Sequence, residues 1–409
     1  MGTSANLQGA AYVSCGKGPQ GPLGQLILDQ AGNLYGVSSG GGKPGCFKTA
    51  SCGTAFKMDR SGRLLWVYQF NGWDGFNPYA GLLHDPSGNL YGITEYGGLK
   101  TKACGGAQNL GCGVAFKLNP DGKKETVLHR FTGGSDGQIP EALLIQTPAG
   151  NLYGTTYGGG KNACGIVFRM NQAGKESVRY TFKCGVDGAY VFAGVIRDSK
   201  NNLYGTTGAG GNMYCHSGGG CGTVYRLDFT GKETVLYDFT WSSDGAFPSS
   251  GLIQDAAGNL YGETLLGGNL QVYDCDGFEG CGVVYELSPN GNGGWTETTL
   301  YMFNETDGFG PFGGLVRDTH GNLYGVTSSG GENGSNCNRI GCGVVFKLDT
   351  GGNETVLHTF TGGADGAFPQ GGVVMDTLGN IYGTALQGGD FNCAFNQVRG
   401  CGVVFKISP

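Results

Sequence analysis

Basic blocks are missing from this sequence. Its 26 lysines and arginines are scattered among 32 acidic residues, for a formal charge of −6, so no segment is built to neutralise a phosphate backbone or to settle on an anionic bilayer. Nucleic acid is therefore not expected as a partner. Long apolar runs are also absent; none approaches the roughly 18 residues that span a membrane, and the opening "MGTSANLQGA" has neither a basic start nor a hydrophobic stretch. Membrane insertion is not expected. No stretch carries the 3.6-residue apolar stripe of an amphipathic helix, and only 14% of residues are charged. What is abundant is glycine, 84 of 409 residues, which together with these absences indicates an all-β, turn-rich chain.

A five-letter box close to Gly-Asn-Leu-Tyr-Gly recurs seven times, with its tyrosines at Tyr35, Tyr91, Tyr153, Tyr204, Tyr261, Tyr324 and Tyr382. Each unit runs in the same order: a short apolar run, a glycine turn, the box, a long loop, "CGVAFKL" or its like, a second glycine turn, "ETVLHRF" or its like, and a loop with Asp-Gly. That is four strands per unit. Leu and Tyr of the box project to opposite sides of a strand, so each small sheet has two apolar faces and must be covered twice. Such units stacked in a closed ring make a seven-bladed β-propeller with four antiparallel strands per blade, a single domain over 1–409. The expected blades cover 19–70, 76–131, 138–182, 189–239, 246–303, 309–360 and 367–409, the last completed by 8–15. The last repeat stops after its third strand while the N-terminus supplies a spare one, "GAAYVSC"; the spare strand is expected to close the ring. A parallel solenoid, the competing architecture, leaves that complementarity unexplained.

The fifteen cysteines point to bridges and an oxidising, secreted or cell-surface location. Six units carry two in the loop after the box: Cys46 and Cys52, Cys104 and Cys112, Cys215 and Cys221, Cys275 and Cys281, Cys337 and Cys342, Cys393 and Cys401. The third unit has Cys164 there and Cys184 at the end of its fourth strand, which a hairpin about Ala173 and Gly174 sets nearly opposite. Cys15 lies on the spare strand and stays open to three fates: a free thiol, exchange into the Cys401 pair, or a link between molecules. Glycine-flanked pairs with few histidines make a poor zinc cage, and no metal or cofactor is expected. "DCDGFEG" at 274–280 is too short for an EF-hand calcium loop.

In this topology all the long loops emerge on one rim. The Asp of the Asp-Gly box, Asp74, Asp136, Asp187, Asp244, Asp307 and Asp365, suits ordinary corner chemistry. Five residues after it, where the innermost strand begins beside the central channel, the units differ: Leu23, Tyr79, Glu141, Phe192, Ser249, Phe312 and Gln370. Tyr79, Glu141, Phe192, Phe312 and Gln370, joined by Tyr157, Glu263 and His216 from the long-loop ends, form a candidate surface for an extracellular glycan or other small ligand, aromatic faces stacking on sugar rings while acids and amides hold hydroxyls. The same side chains also suit a plain channel plug. Glu95 and Glu141, from neighbouring blades, form a candidate acid and base pair for glycoside cleavage, and Tyr157 or His216 suits a lyase proton carrier. A structural subunit of a surface layer or fibre, self-assembled through the N-terminal strand or Cys15, is the third alternative.

The compound pattern "LYGTT", "CGVVFKL" and "ETVLHTFTGGADGAFP" closely resembles the GloVer-type tandem repeat of exported bacterial proteins described as choice-of-anchor because their C-terminal sorting segments differ. The resemblance covers almost the whole chain and implies export; it implies no catalytic residues. The chain stops at "FKISP" without such a sorting segment, as expected of a secreted or a shortened form.

Overall fold

In the computed structural model, residues 6–12, 18–47, 50–104, 110–213, 215, 218–271, 275, 279–331, 337, 340–395 and 398–408 are described. They form seven antiparallel blades in a ring, with a small two-stranded sheet in the long loop of blade one and another in that of blade seven. The third blade is representative, running outward from the axis through Ile145–Gln146, Leu152–Thr156, Ile166–Met170 and Glu176–Thr181. The seventh blade is completed by the N-terminal strand: Asn6–Tyr12 pairs with Val403–Ser408, from Asn6 opposite Ser408 to Tyr12 opposite Val403. This is the expected closure, although the strand starts before the expected 8–15. Cys15 lies outside the described residues.

The box glycine answers to its neighbour across the sheet. Gly92 pairs with Phe116 and Gly154 with Phe168, and a Cβ on either glycine would sit 2.5 or 2.6 Å from the tip of that ring. The ring therefore lies flat over the second strand, where any side chain would displace it. Its outer edge meets the phenylalanine that ends the preceding blade's outer strand. Six seams repeat this edge-to-face pair: Phe70 with Phe116, Phe131 with Phe168, Phe182 with Tyr225, Phe239 with Tyr285, Phe303 with Phe346 and Phe360 with Phe405, centroids 5.0–5.4 Å apart. All are fully buried. Each such pair adds about 0.5–1.5 kcal/mol beyond its burial. At the seam that closes the ring, the described residues packed together are Phe56, Leu26, Leu34, Met58, Tyr382 and Val404.

Two kinds of carboxylate corner recur around the ring, each in six of the seven units. At the first turn, Asp29, Asp85, Asp198, Asp255, Asp318 and Asp376 each accept backbone N–H bonds from their own turn, and each accepts the box tyrosine's hydroxyl at 3.0–3.2 Å. Burial opposes their ionisation, but these bonds outweigh it and hold the carboxyls below the ordinary 3.8. In blade three Thr147 takes that place. The second corner is the Asp-Gly box. Its six carboxylates meet the ring of a Tyr or His on the adjoining outer strand, from 2.7 Å for Tyr68 with Asp74 to 3.2 Å for His358 with Asp365. Corner chemistry accounts for them fully.

Four outer strands open on a glutamate, Glu125, Glu176, Glu233 and Glu354, and a fifth, Trp295–Met302, carries Glu297 as its third residue. Burial first, and then the nearby Asp of the second corner, pushes their carboxyls up, to about 7 for four and about 6 for Glu297, from the ordinary 4.5. Because the folded value exceeds the unfolded one, their contribution to stability is complete below about pH 4.5 and is lost as pH rises through 6 to 7. The first-corner aspartates act oppositely, contributing above about pH 3.8 and failing as pH falls below it. Melting temperature should therefore peak near pH 5 and decline on both sides. Replacing Glu125, Glu233 and Glu354 together by Gln should flatten the decline between pH 5 and 8, while an unchanged limb would show that these acids do not set it.

Candidate functional site

The mouth of the channel is fixed by a bond repeated at every blade junction. The backbone N–H two residues before each of the seven variable channel positions donates to the carbonyl of a cysteine in the preceding blade: Asn77 to Cys52, Ile139 to Cys112, Tyr190 to Cys164, Phe247 to Cys221, Gly310 to Cys281, Phe368 to Cys342 and, across the closure, Gly21 to Cys401, at 2.8–3.1 Å. Every donor has positive φ, between 56° and 62°. Five are not glycine, and for the β-branched Ile139 this conformation is strained. The Cys-Gly pair fits the same junction, since Gly113 packs against Pro140 and Gly402 against Pro22 so closely that a Cβ would lie 2.4 Å from the proline ring.

The seven disulfides anchor those carbonyls. Six close short loops, Cys46–Cys52, Cys104–Cys112, Cys215–Cys221, Cys275–Cys281, Cys337–Cys342 and Cys393–Cys401, while Cys164–Cys184 spans 20 residues. The last ties the loop of blade three to the end of its outer strand, the pairing that the sequence predicts.

All seven variable positions line one central cavity of about 570 Å³. Inside it the blades meet backbone to backbone: a Cβ on Gly81 would lie 2.1 Å from the Gln25 carbonyl oxygen, and one on Gly194 2.5 Å from that of Leu143. Leu23, Ser249, Phe312 and Gln370 come from the adjoining blades one, five, six and seven, and Tyr79, Glu141 and Phe192 from blades two, three and four. Beside Phe192 further aromatics gather. Tyr157 stacks on Tyr190, centroids 4.9 Å apart and planes 20° from parallel, and touches Phe192 at the same distance. Tyr190 and Phe192 keep 39% and 36% of their surface exposed, leaving ring area open to a ligand.

Glu95 and Glu141 come into electrostatic contact here. Burial, and then the charge of Glu95, pushes Glu141 up to about 8. Burial also raises Glu95, against hydrogen bonds with Tyr96 and Asn77. Tyr79 and Tyr157 are raised as well, by burial first and then, among other neighbours, by Glu141. At neutral pH Glu141 is thus mainly a neutral acid, a hydrogen-bond donor held among aromatic rings.

Glu263 is not at this mouth. It lies two residues earlier along its strand than Glu95 does, fully buried between blades five and six, where Oε2 accepts the Gly314 N–H at 3.2 Å. Burial raises it to about 8. Its counterparts Thr155 and Thr206 reach across their seams in the same way, to Ala193 and Ser250 carbonyls, so the position serves blade packing. His216 lies outside the described residues, as do Asp274 and Asp276. Sequence reasoning missed Tyr96, Asn77 and Tyr190; the variation at the residue two before each channel position was the available signal.

A seven-bladed, disulfide-braced β-propeller with a variable channel mouth is the class these features define. The chain belongs to the Gloeobacter/Verrucomicrobia repeat family, which matches residues 99–275 and 270–409 and bears out the resemblance drawn from the motifs. No curated protein matches the sequence. Among solved structures the chain is similar to virginiamycin B lyase from Staphylococcus aureus, at 13% identity over 95% of both chains with a TM-score of 0.54. It is also similar to a fungal alcohol oxidase in complex with copper, at 11% identity over 100% of this chain and 77% of that one with a TM-score of 0.55. At such identities the likeness shows the fold alone. Among the described residues no three His, Cys, Asp or Glu side chains converge as a metal cage, and no helix is long and apolar enough to cross a membrane.

Two outcomes test this geometry. Replacing both Cys164 and Cys184 by Ser should lower the unfolding free energy by about 3 kcal/mol, against about 2 for one of the short-loop pairs, by loop-closure entropy; equal losses in denaturant titrations would refute the difference. For Glu141→Gln, the melting temperature relative to the parent should rise between pH 5 and pH 9, because the amide escapes the ionisation that destabilises the buried acid. A difference independent of pH would place Glu141 in water.

Proposed function

We propose that the chain is an exported binding propeller that holds a neutral carbohydrate at its long-loop mouth. The observation that carries this reading is the open aromatic group Tyr157, Tyr190 and Phe192 set beside Glu141, over a cavity of about 570 Å³. Stacked rings match the apolar face of a pyranose, and a protonated acid flanked by Tyr79 offers hydroxyl-directed hydrogen bonds without charge. Seven disulfides fit an oxidising, extracellular setting.

A second reading has one observation in its favour: Glu95 and Glu141 interact, with Glu141 protonated near neutral pH, as the proton donor of a glycoside hydrolase requires. Virginiamycin B lyase carries a lyase activity on the same fold, and Tyr157 stands at the mouth as a proton carrier for that chemistry.

Neutral oligosaccharides screened by affinity, with product analysis, separate the readings. Saturable binding without turnover, weakened about tenfold or more by Phe192→Ala and Tyr190→Ala and little changed by Glu95→Gln, is expected. New reducing or unsaturated ends that vanish in Glu95→Gln or Glu141→Gln would make the protein an enzyme, and binding indifferent to both aromatic variants would remove the site from the mouth.

A further inference from the structure

Blade three departs from its siblings on the rim opposite the long loops. Where six blades carry the first-corner Asp that accepts the box tyrosine's hydroxyl, blade three carries Thr147, so Tyr153 has no carboxylate there. In its outer strand it carries Arg179 where the corresponding position is Val67, Leu128, Leu236, Leu300 or Leu357 in the five neighbouring repeats that have one. An acid is lost and a cation gained within one blade, at places where packing keeps the other blades alike.

The two changes meet in space. Arg169 and Arg179 of blade three and Arg197 of blade four line one cleft of about 420 Å³, together with Thr147, Tyr153 and the ring of Phe229. Phe229 is 70% exposed. Among the described residues none of the three arginines has an ion pair. Arg179 Nη2 donates to the Phe229 carbonyl at 2.9 Å, and Arg197 Nη2 to Asn201 Oδ1; both bonds orient a guanidinium without neutralising it. The one acid in the lining, Asp228, spends Oδ1 on its own turn, accepting from Thr230 N, Thr230 Oγ1 and Lys232 N at 2.6–3.0 Å. Blade one shows the contrast: Lys57, the counterpart of Arg169, lies 3.8 Å from Asp29, the counterpart of Thr147.

We propose that this cleft binds a ligand through an oxyanion, a sulfate, phosphate or carboxylate group. Guanidinium forks match the spacing of such oxygens and give charge-assisted bonds, the Tyr153 hydroxyl is a further donor, and Phe229 offers an apolar face to whatever carries the anion. The site is on the face away from the channel mouth and does not rest on the carbohydrate reading.

The whole chain, titrated calorimetrically with inorganic sulfate and with inorganic phosphate at ionic strength held constant by chloride, tests it. Saturable binding is expected, weakened about tenfold or more in Arg179→Leu and in Thr147→Asp. Each substitution restores the residue type found in other blades, and an unshifted melting temperature verifies that the fold is kept. Arg179→Lys should weaken binding less than Arg179→Leu, since it keeps charge but loses the fork. Displacement of sulfate by a sulfated disaccharide, and not by its unsulfated form, would assign the anion to a glycan; failure to displace would assign the free ion. Absence of saturable binding by every one of these probes, or equal binding in the parent and both restoring variants, overturns the proposal.

Discussion

An aromatic ring laid over a glycine is the contact on which this propeller depends. In each blade the third strand's central ring needs the space that the box glycine leaves, and in six seams its edge then receives the phenylalanine from the blade before. The interaction joins two levels of structure at once, strand to strand within a sheet and sheet to sheet around the ring. It also explains why the repeat tolerates insertions of very different length in its loops: the seams carry most of the packing, and the loops add chiefly their buried disulfides. Closure follows the same economy, with Asn6–Tyr12 giving Val403–Ser408 its missing neighbour so that no third strand is left as an open edge.

A stiff ring lets its inner rim be strained and varied. The seven N–H bonds to cysteine carbonyls, each from a residue of positive φ, set the start of every inner strand at the same height around the axis. Disulfides hold the acceptors, so loop covalency and mouth geometry are one construction. On that uniform frame the side chains diverge, from Leu23 and Ser249 in blades one and five to Glu141, Tyr157, Tyr190 and Phe192 in blades three and four. The polar half of the rim carries perturbed acids because burial desolvates them, and the charge of Glu95 adds to the effect at Glu141.

Seven copies of one unit also supply an internal reference. Where six of the seven blades agree, as at the first-corner Asp and at the Asp-Gly box, hydrogen bonding within the corner accounts for the residue. Where one blade alone departs, packing no longer explains the choice. Glu263 illustrates the limit of this logic: it is unusual, yet its counterparts Thr155 and Thr206 reveal a shared task across the seam. Thr147 keeps part of the corner task, accepting the Asn151 N–H at 3.1 Å as the corner Asp does elsewhere, but it leaves Tyr153 without a carboxylate, and Arg179 stands where five other blades carry Val or Leu.

Strand count, ring closure, the long-loop rim and the Cys164–Cys184 pairing were all legible in the sequence, because each depends on local order: alternation, turn glycines and the spacing of cysteines along a hairpin. The convergence of the seven variable positions on one channel was legible too, since a repeat carries its own alignment. The sequence paired Glu95 with Glu141 but did not disclose their burial, the reason for the box glycine, or the burial of Glu263. The box glycine depends on how a ring lies across its own sheet, Phe116 over Gly92, and the buried acids depend on which face of one blade touches which face of the next. Only the closed ring, by fixing the distance and burial between neighbouring sheets, decided which carboxyls lose their water and which arginines stand without a counter-charge.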